Sequence, residues 1–356
     1  MSPLDWFKKE KPMMGMQAMG GGAASTLMHV ASGSPGAAPT WNATGGNAVF
    51  PSVSIDGVNY KIHRFTSPGN FVITPGSGGY DVIVIAGGGS GGVDNGGGGG
   101  AGGVVDATVP SAVVSNGTFG VSIGAGGAAR PGGTDNGSGK KGSDTTFVVS
   151  PTITLTADGG GAGSGWAGAA NGGQGAPGGC GGGNACDPSN YNPIGPGSAT
   201  QPTSNPQPWA TDAGFAGGQA FRTPSGAPVG AWGGGGGGTG GAGSQGSSGT
   251  AGYGGLGYLT NGKYGTSPNG LAEYPSGRIA GGGTGGFDSY NGTTAPPTLN
   301  ASPNPHNGVT KQTSYTPGGS EVACSPNTGS GGHGANHDNQ TSGAGGSGVV
   351  IVRYVA

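Results

Sequence analysis

The sequence predicts an all-β fold, a small antiparallel β-sandwich that carries a bundle of polyglycine-II helices with long loops and little or no α-helix. Three observations carry that expectation. Short β-branched and aromatic runs, bounded by Gly, Pro, Asn or Ser, recur between 49 and 156. A glycine-dense block follows, in which every third residue from Gly234 to Gly255 is glycine. A last apolar run, GVVIVRYVA (348–356), returns to strand character.

Composition narrows what can hold such a chain together. Of 356 residues, 92 are glycine and 27 proline, while 31% are hydrophobic and 8% charged. Glycine loses more backbone freedom on folding than any other residue, and so few large side chains cannot offset that loss by burial. Dense backbone hydrogen bonding has to stand in for an oily interior. The net charge of −2 supplies little repulsion to swell the chain.

Residues 1–47 read as an N-terminal docking segment. SPLDWFKKEKP (2–12) is the densest charge cluster, and all six methionines lie between Met1 and Met28. Methionine adapts to irregular partner surfaces, so Trp6, Phe7, Met13, Met14, Met16 and Met19 are expected to form a docking peg. Lys8, Lys9 and Lys11 precede the stretch from Met13 to Ala24, which has no leucine-rich centre. A secretory signal is therefore not expected.

Residues 48–157 read as a β-rich scaffold domain. Strands are expected at YKIHRF (60–65), NFVIT (70–74), YDVIVIA (80–86), GVVDATV (103–109), FGVSIG (119–124), TTFVV (145–149) and TITLT (152–156). VIVI at 82–85 is apolar on both faces and belongs in the middle of a sheet.

Residues 158–347 read as a glycine-rich bundle with distal loops. Its glycine-dense segments are 159–183, 233–255, 281–286, 329–334 and 343–348, and Gly87 to Gly103 is an earlier one of the same kind. A strict glycine triplet is also the mark of collagen, but collagen needs proline in the other two columns, and 233–255 has none. A left-handed helix of three residues per turn, fixed by neighbouring helices, satisfies the same period. Read as one rod, the segment reaches about 65 Å. The final strand, 348–356, is expected to close the sheet that the chain leaves near Thr156.

Several functional classes find no support. A pI near 6.2 and the absence of any RGG triplet argue against a nucleic-acid partner. No run of about 20 apolar residues exists, so no membrane insertion by a helix is expected. GSGKK (137–141) mimics a phosphate-binding loop, but Thr134 stands where glycine is needed and Lys141 where Ser or Thr would hold magnesium. No cofactor is expected.

His333, His337 and Asp338, with Cys324 upstream, are metal-ligand types. The surrounding glycines predict no helix to align them, so a solvated loop and no metal are expected. Cys180, Cys186 and Cys324 are an odd count, against a disulfide framework. Cys180 and Cys186 flank a GGGNA segment, and both a clip and free thiols stay open. No nucleophile, histidine and acid motif and no acidic cluster argues for an enzyme.

Rods packed at backbone distance cannot hold large side chains between them. The aromatics Tyr191, Trp209, Phe215, Phe221, Tyr258, Tyr264, Tyr274, Phe287, Tyr290 and Tyr315 are therefore expected in loops or at bundle ends. There they either recognise a partner, as loops on rigid scaffolds do, or pack on one another to cap the bundle.

Four features together, YDVIVIAGGGSGG (80–92), TADGGGAG (156–163), the repeated GGxGGxG runs and the terminal GGSGVVIVRY (345–354), resemble the glycine-rich domain of tailed-bacteriophage virion proteins, including receptor-binding tail-fibre adhesins of T-even-like phages. The opening SPLDWFKKEKPMMGM (2–16) resembles the start of structural proteins of marine cyanophages. The likeness covers about residues 60–356 and 1–25. It implies a virion protein, made in the host cytoplasm, that docks onto other virion proteins through its N-terminus. The aromatic loops, with Asn190, Asn192 and Asn291, would then bind a host-surface glycan or outer-membrane protein. The alternatives are a capsid or tail decoration protein with no receptor role, and an ice-binding surface built on the Gly-X-X period. The docking-like start and the β-rich part before the glycine block depart from the tail-tip adhesin pattern.

Overall fold

The computed structural model describes residues 38–132, 137–165, 173–185, 195–201, 205–222, 230–248, 250–265, 278–289, 323–336 and 340–356. The docking peg, Trp6 to Met19, lies outside them. No helix occurs among the described residues.

Two antiparallel sheets form the sandwich. One contains β1 (Ala43–Thr44), β4 (Gly69–Ile73), β7 (Gly117–Ser122), β8 (Thr145–Ser150) and β9 (Ile153–Ala157), in that order. The other contains β10 (Ala210–Ala213), β6 (Val104–Val109), β5 (Tyr80–Ile85), β16 (Val349–Val355), β3 (Val58–Phe65) and β2 (Ala48–Ile55), also in spatial order. Alternation along each strand decides what faces the shared core. Phe71, Phe119, Phe147 and Leu155 from the first sheet meet Tyr80, Val82, Val84, Val105, Val350 and Val352 from the second. Phe71 lies 5.8 Å from Tyr80 and 5.9 Å from Phe147, ring centre to ring centre.

The six-stranded sheet is covered on its other face too. Ile62, Ile83, Ile85, Val104 and Ile351 pack there against Tyr258, Tyr264 and Ile279. This explains the unbroken apolar reading of VIVI, because a strand buried on both faces loses the polar alternation. It also corrects the expected place of the last strand. β16 does not rejoin the sheet holding β9; it inserts between β5 and β3 in the opposite sheet. VVIVRYV needs apolar cover on both sides, and the middle of the doubly covered sheet supplies it.

Two small sheets complete the described structure. One holds β11 (Phe221–Arg222), β12 (Gly230–Trp232) and β15 (Phe287–Ser289), the other β13 (Tyr258–Leu259) and β14 (Arg278–Ile279).

Beyond the strands the glycine segments pack as rods joined by backbone hydrogen bonds with a three-residue period. The rod at 96–103 lies at the centre. The N–H groups of Gly96, Gly99 and Gly102 donate to the carbonyls of Ala335, Gly332 and Gly329, and those of Gly97, Gly100 and Gly103 to Ser164, Gly161 and Asp158. The third column, Gly98 and Ala101, donates to Gly234 and Gly237. The carbonyls of the whole rod accept from rods 86–92, 180–183 and 283–286, and all these bonds measure 2.7–3.1 Å. Six neighbours around one rod, reached through three columns of donors and three of acceptors, is the pairing expected of a helix with three residues per turn. Every residue from 82 to 107 is buried. The interior of the bundle is backbone.

Strands run into rods without changing register. β5 and β6 pair Ile85 with Val104, and the same register continues as Ala86–Gly103, Gly89–Gly100 and Gly92–Gly97, now bonded at every third residue. β8 and β9 continue likewise, from Thr145 opposite Ala157 to Gly142–Gly160 and Gly139–Gly163. From β5 and β16, Ile85 opposite Val349 leads on to Gly88–Gly346 and Gly91–Gly343. Sheets and rods belong to one compact unit, Gly36–Ala356.

Residues 233–255 are not a single long rod. The chain runs as a rod over 233–238, reverses at 239–241, returns over 242–246, reverses again through the Ser247–Thr250 bridge and runs out over 251–257. Gly235 N–H donates to Ser244, Ser244 to Tyr253, and Gly252 and Gly255 back to Gly233 and Gly236. A rod about 65 Å long would outrun its neighbours and leave donors unpaired. Folding it in three lets the segment pair with itself.

Close approach requires glycine at the centre. A Cβ on Gly99 would lie 2.2 Å from the Gly89 carbonyl oxygen, an atom held by the bundle itself. Gly99→Ala is therefore expected to lower stability by about 3 kcal/mol or more. Gly120, exposed on β7 with nothing within 4 Å of its would-be Cβ, is the control. Gly120→Ala should stay within about 0.5 kcal/mol of the parent or be more stable. Denaturant midpoints of the two variants check this, and equal midpoints would refute the backbone-core account.

Candidate functional site

Of the aromatics expected to meet a partner, several are committed inside the fold. Tyr258 and Tyr264 are buried on the outer face of the six-stranded sheet, and Phe287 is buried against Trp232 and Ala251. Phe221 is half-buried with its ring centre 5.8 Å from that of Trp232. Trp209 is half-buried against the sandwich core, and Phe215 is half-buried with its carbonyl accepting from Gly181. Tyr191, Tyr274, Tyr290 and Tyr315 lie outside the described residues, as do Asn190, Asn192 and Asn291.

Tyr258 and Tyr264 anchor a cluster of charges. Three central strands each carry a charged residue on the outer face, Asp81 on β5, Asp106 on β6 and Arg353 on β16. Register brings them together, since Asp81 stands opposite both Thr108 and Arg353 while Asp106 stands opposite Ile83. The turn after β13 lays Lys263 over them. Lys263 Nζ lies 2.9 Å from Asp106 Oδ1 and 3.9 Å from Asp81 Oδ1. The Tyr264 hydroxyl donates to Asp106 Oδ1, and the Tyr258 hydroxyl donates to Oδ2 at 3.0 Å. Arg353 Nε donates to Asp81 Oδ2 at 2.9 Å, Thr108 Oγ1 donates to Asp81 Oδ1 at 2.7 Å, and the Arg353 guanidinium donates to the Lys263 carbonyl. Both phenols are held well above their ordinary pKa, first by burial and then by the Asp106 charge, so they remain donors.

A different surface is left open on the edge rod. From 251 to 259 burial repeats as two buried residues and one exposed, and the exposed column is Tyr253, Leu256 and Leu259, each 36–37% accessible. Tyr253 and Leu256 stand one turn, about 9 Å, apart on the rod, and Leu259 follows at the same spacing in β13. The signal was present in AGYGGLGYL as a three-residue spacing of bulky side chains. It was missed because the aromatics were read singly and not by column. The charged cluster also has a signal, one charge in each of YDVIVI, VVDATV and VVIVRYV, all otherwise suited to burial.

A family model for the glycine-rich domain matches residues 66–355. The chain belongs to the glycine-rich domain family. No curated protein matches it. Within the family's span lie both sheets' central strands, the rods, the charged cluster and the exposed column.

The metal-ligand types in this glycine-rich domain do not converge among the described residues. His337 and Asp338 lie outside those residues. His333 Nδ1 accepts from the Thr284 N–H at 3.1 Å, and Cys324 Sγ donates to the Gly331 carbonyl at 3.1 Å. Cys180 and Cys324 are free and buried, and burial pushes both thiols up to about 12, so neither is a ready nucleophile. Cys186 lies outside the described residues.

His333 is buried within rod 329–336, and desolvation lowers its pKa from 6.5 to about 4. Burial lowers His63 as well. Above pH 6.5 His333 is neutral folded or unfolded. Below it the unfolded chain binds a proton that the folded chain resists. Stability is therefore full above pH 6.5 and falls as the pH drops toward about 4, by up to roughly 3 kcal/mol. Urea midpoints measured across that window should decline, and His333→Gln should flatten the decline. A parent protein equally stable throughout would exclude a buried neutral histidine.

Proposed function

We propose that this chain is a non-enzymatic structural protein of a tailed-bacteriophage virion that recognises the host cell surface. The observation that carries the reading is a rigid, backbone-bonded bundle that leaves a line of apolar side chains, Tyr253, Leu256 and Leu259, facing solvent on its edge rod. Rigidity lowers the entropy cost of presenting a recognition surface, and a tyrosine flanked by leucines offers contact area to a glycan or an outer-membrane protein. The strand and glycine motifs that resemble virion proteins supply the setting. The clustered charges, Asp81, Asp106, Lys263 and Arg353, are consumed in bonds to one another and to the turn above them, which favours a structural role over a catalytic one. Residues 1–47 would hold the protein on the particle, and the particle is its place of action.

The test is a particle carrying Tyr253→Ser, Leu256→Ser and Leu259→Ser together. Exposed positions tolerate such changes, so particles should assemble with the protein present, and adsorption to the host should slow by about tenfold or more. Antibody labelling should find a few copies on the tail. Unchanged adsorption, with tens to hundreds of copies over the capsid, would instead establish the decoration role.

A further inference from the structure

The cluster beneath the turn at 260–265 contains more than an ion pair. A lysine amine and a carboxylate are in direct contact, with side-chain exposures of 11% and 4%, and a second carboxylate stands 3.9 Å from the same nitrogen. Burying two opposite charges costs several kcal/mol in desolvation, which attraction alone often fails to recover. We propose that Lys263 and Asp106 condense to an intramolecular amide, a covalent cross-link between the turn and strand β6, with Asp81 as the proton acceptor. This inference does not depend on the virion role.

The arrangement supplies each part of the reaction. Amine and carboxylate are held together by the fold, which removes the entropy cost of their encounter. Thr108 and Arg353 fix the Asp81 carboxylate beside the amine, and the Arg353 bond to the Lys263 carbonyl fixes the backbone that carries it. Each oxygen of Asp106 accepts a phenol hydrogen bond, Oδ1 from Tyr264 and Oδ2 from Tyr258. Those donors draw electron density from Cγ and stabilise the oxyanion that forms on it.

The step balances without any oxidant or activating group. The Lys263 ammonium passes one proton to the Asp106 carboxylate in contact with it, and the neutral amine attacks Cγ of the resulting acid, forming the C–N bond. The nitrogen gives up a second proton to Asp81 as the tetrahedral centre collapses. One Asp106 oxygen leaves with both protons as water, and Asp81 returns to its carboxylate. A buried ammonium and carboxylate become one neutral amide that needs no desolvation of charge.

Intact-mass measurement of the purified, folded protein decides the matter. The parent should weigh one water less than its sequence, and digestion should yield a branched peptide joining the segments that contain 106 and 263. Asp106→Asn should reach the same final mass by losing ammonia; a cyclic imide at residue 106 would converge likewise, but it needs no Lys263 and yields no branched peptide. Lys263→Arg should keep its full mass and unfold at lower temperature. Asp81→Asn should fold and form the bond about a hundredfold more slowly. A folded parent at full mass, or a Lys263→Arg variant that also loses water, would overturn the proposal.

Discussion

Backbone pairing between rods is the interaction on which the rest depends. A chain with 92 glycines among 356 residues begins folding with a large entropy debt and few side chains to bury against it. What it has in abundance is N–H and C=O groups, and an unpaired buried one is costly. A sheet satisfies a strand through two neighbours. A three-residue helix points its groups in three directions and needs more. The rod at 96–103 reaches six neighbours, and every N–H along it donates. Such an arrangement closes only when the rods approach at backbone distance, and that is why the central rod carries no side chain larger than the methyl of Ala101.

The same constraint explains why sandwich and bundle share one register. A separate bundle would have to fix the relative height of each rod unaided, with glycine offering no side chain to do it. Here the sheet sets the heights. Large side chains such as Phe71, Phe147 and Ile351 lock β5, β6, β8, β9 and β16 in place, and the pairs Ala86–Gly103, Gly142–Gly160 and Gly88–Gly346 inherit that alignment. The return of the chain's last segment to the centre of the six-stranded sheet follows. β16 aligns the rod at 343–348 against the one at 86–92, a task that an edge position in the other sheet would not allow.

Much of this was legible in the residues. The eight main runs of β-branched and aromatic residues became strands because period-two patterning and turn residues are local signals. The three-residue period of the glycines recurs in the backbone bonds between segments. Two things were not legible. The reversals inside 233–255 depend on how long the neighbouring rods are, a tertiary fact that Thr239 and Ser247 do not announce. The burial of Tyr258 and Tyr264 depends on Asp106, more than 150 residues earlier, and nothing local to GYLTNGKYG says that its phenols have a carboxylate to meet. β1, β2 and the short strands between β9 and β16 were missed because two to four residues paired at an edge, or a strand broken by Pro51, leave little pattern.

Rods also write their position in the sequence through the size of the third column. In 96–103 the only side chain is the methyl of Ala101, and every residue is buried. In 251–259 two columns are confined and the third carries Tyr253, Leu256 and Leu259 out to solvent, so that rod lies at an edge. The rod at 329–336 is the intermediate case. Ser330, His333 and Asn336 fall in one column, all buried, and His333 and Asn336 reach the adjoining segment at Thr284 and Phe287. That polar column therefore adds side-chain bonds to a neighbour already held by direct backbone bonds, from Gly331 N–H to the Gly281 carbonyl and from Gly334 N–H to the Thr284 carbonyl. Interior, sub-surface and edge rods differ in what occupies one residue in three, and a substitution in that column acts on the spacing of two rods before it acts on anything else.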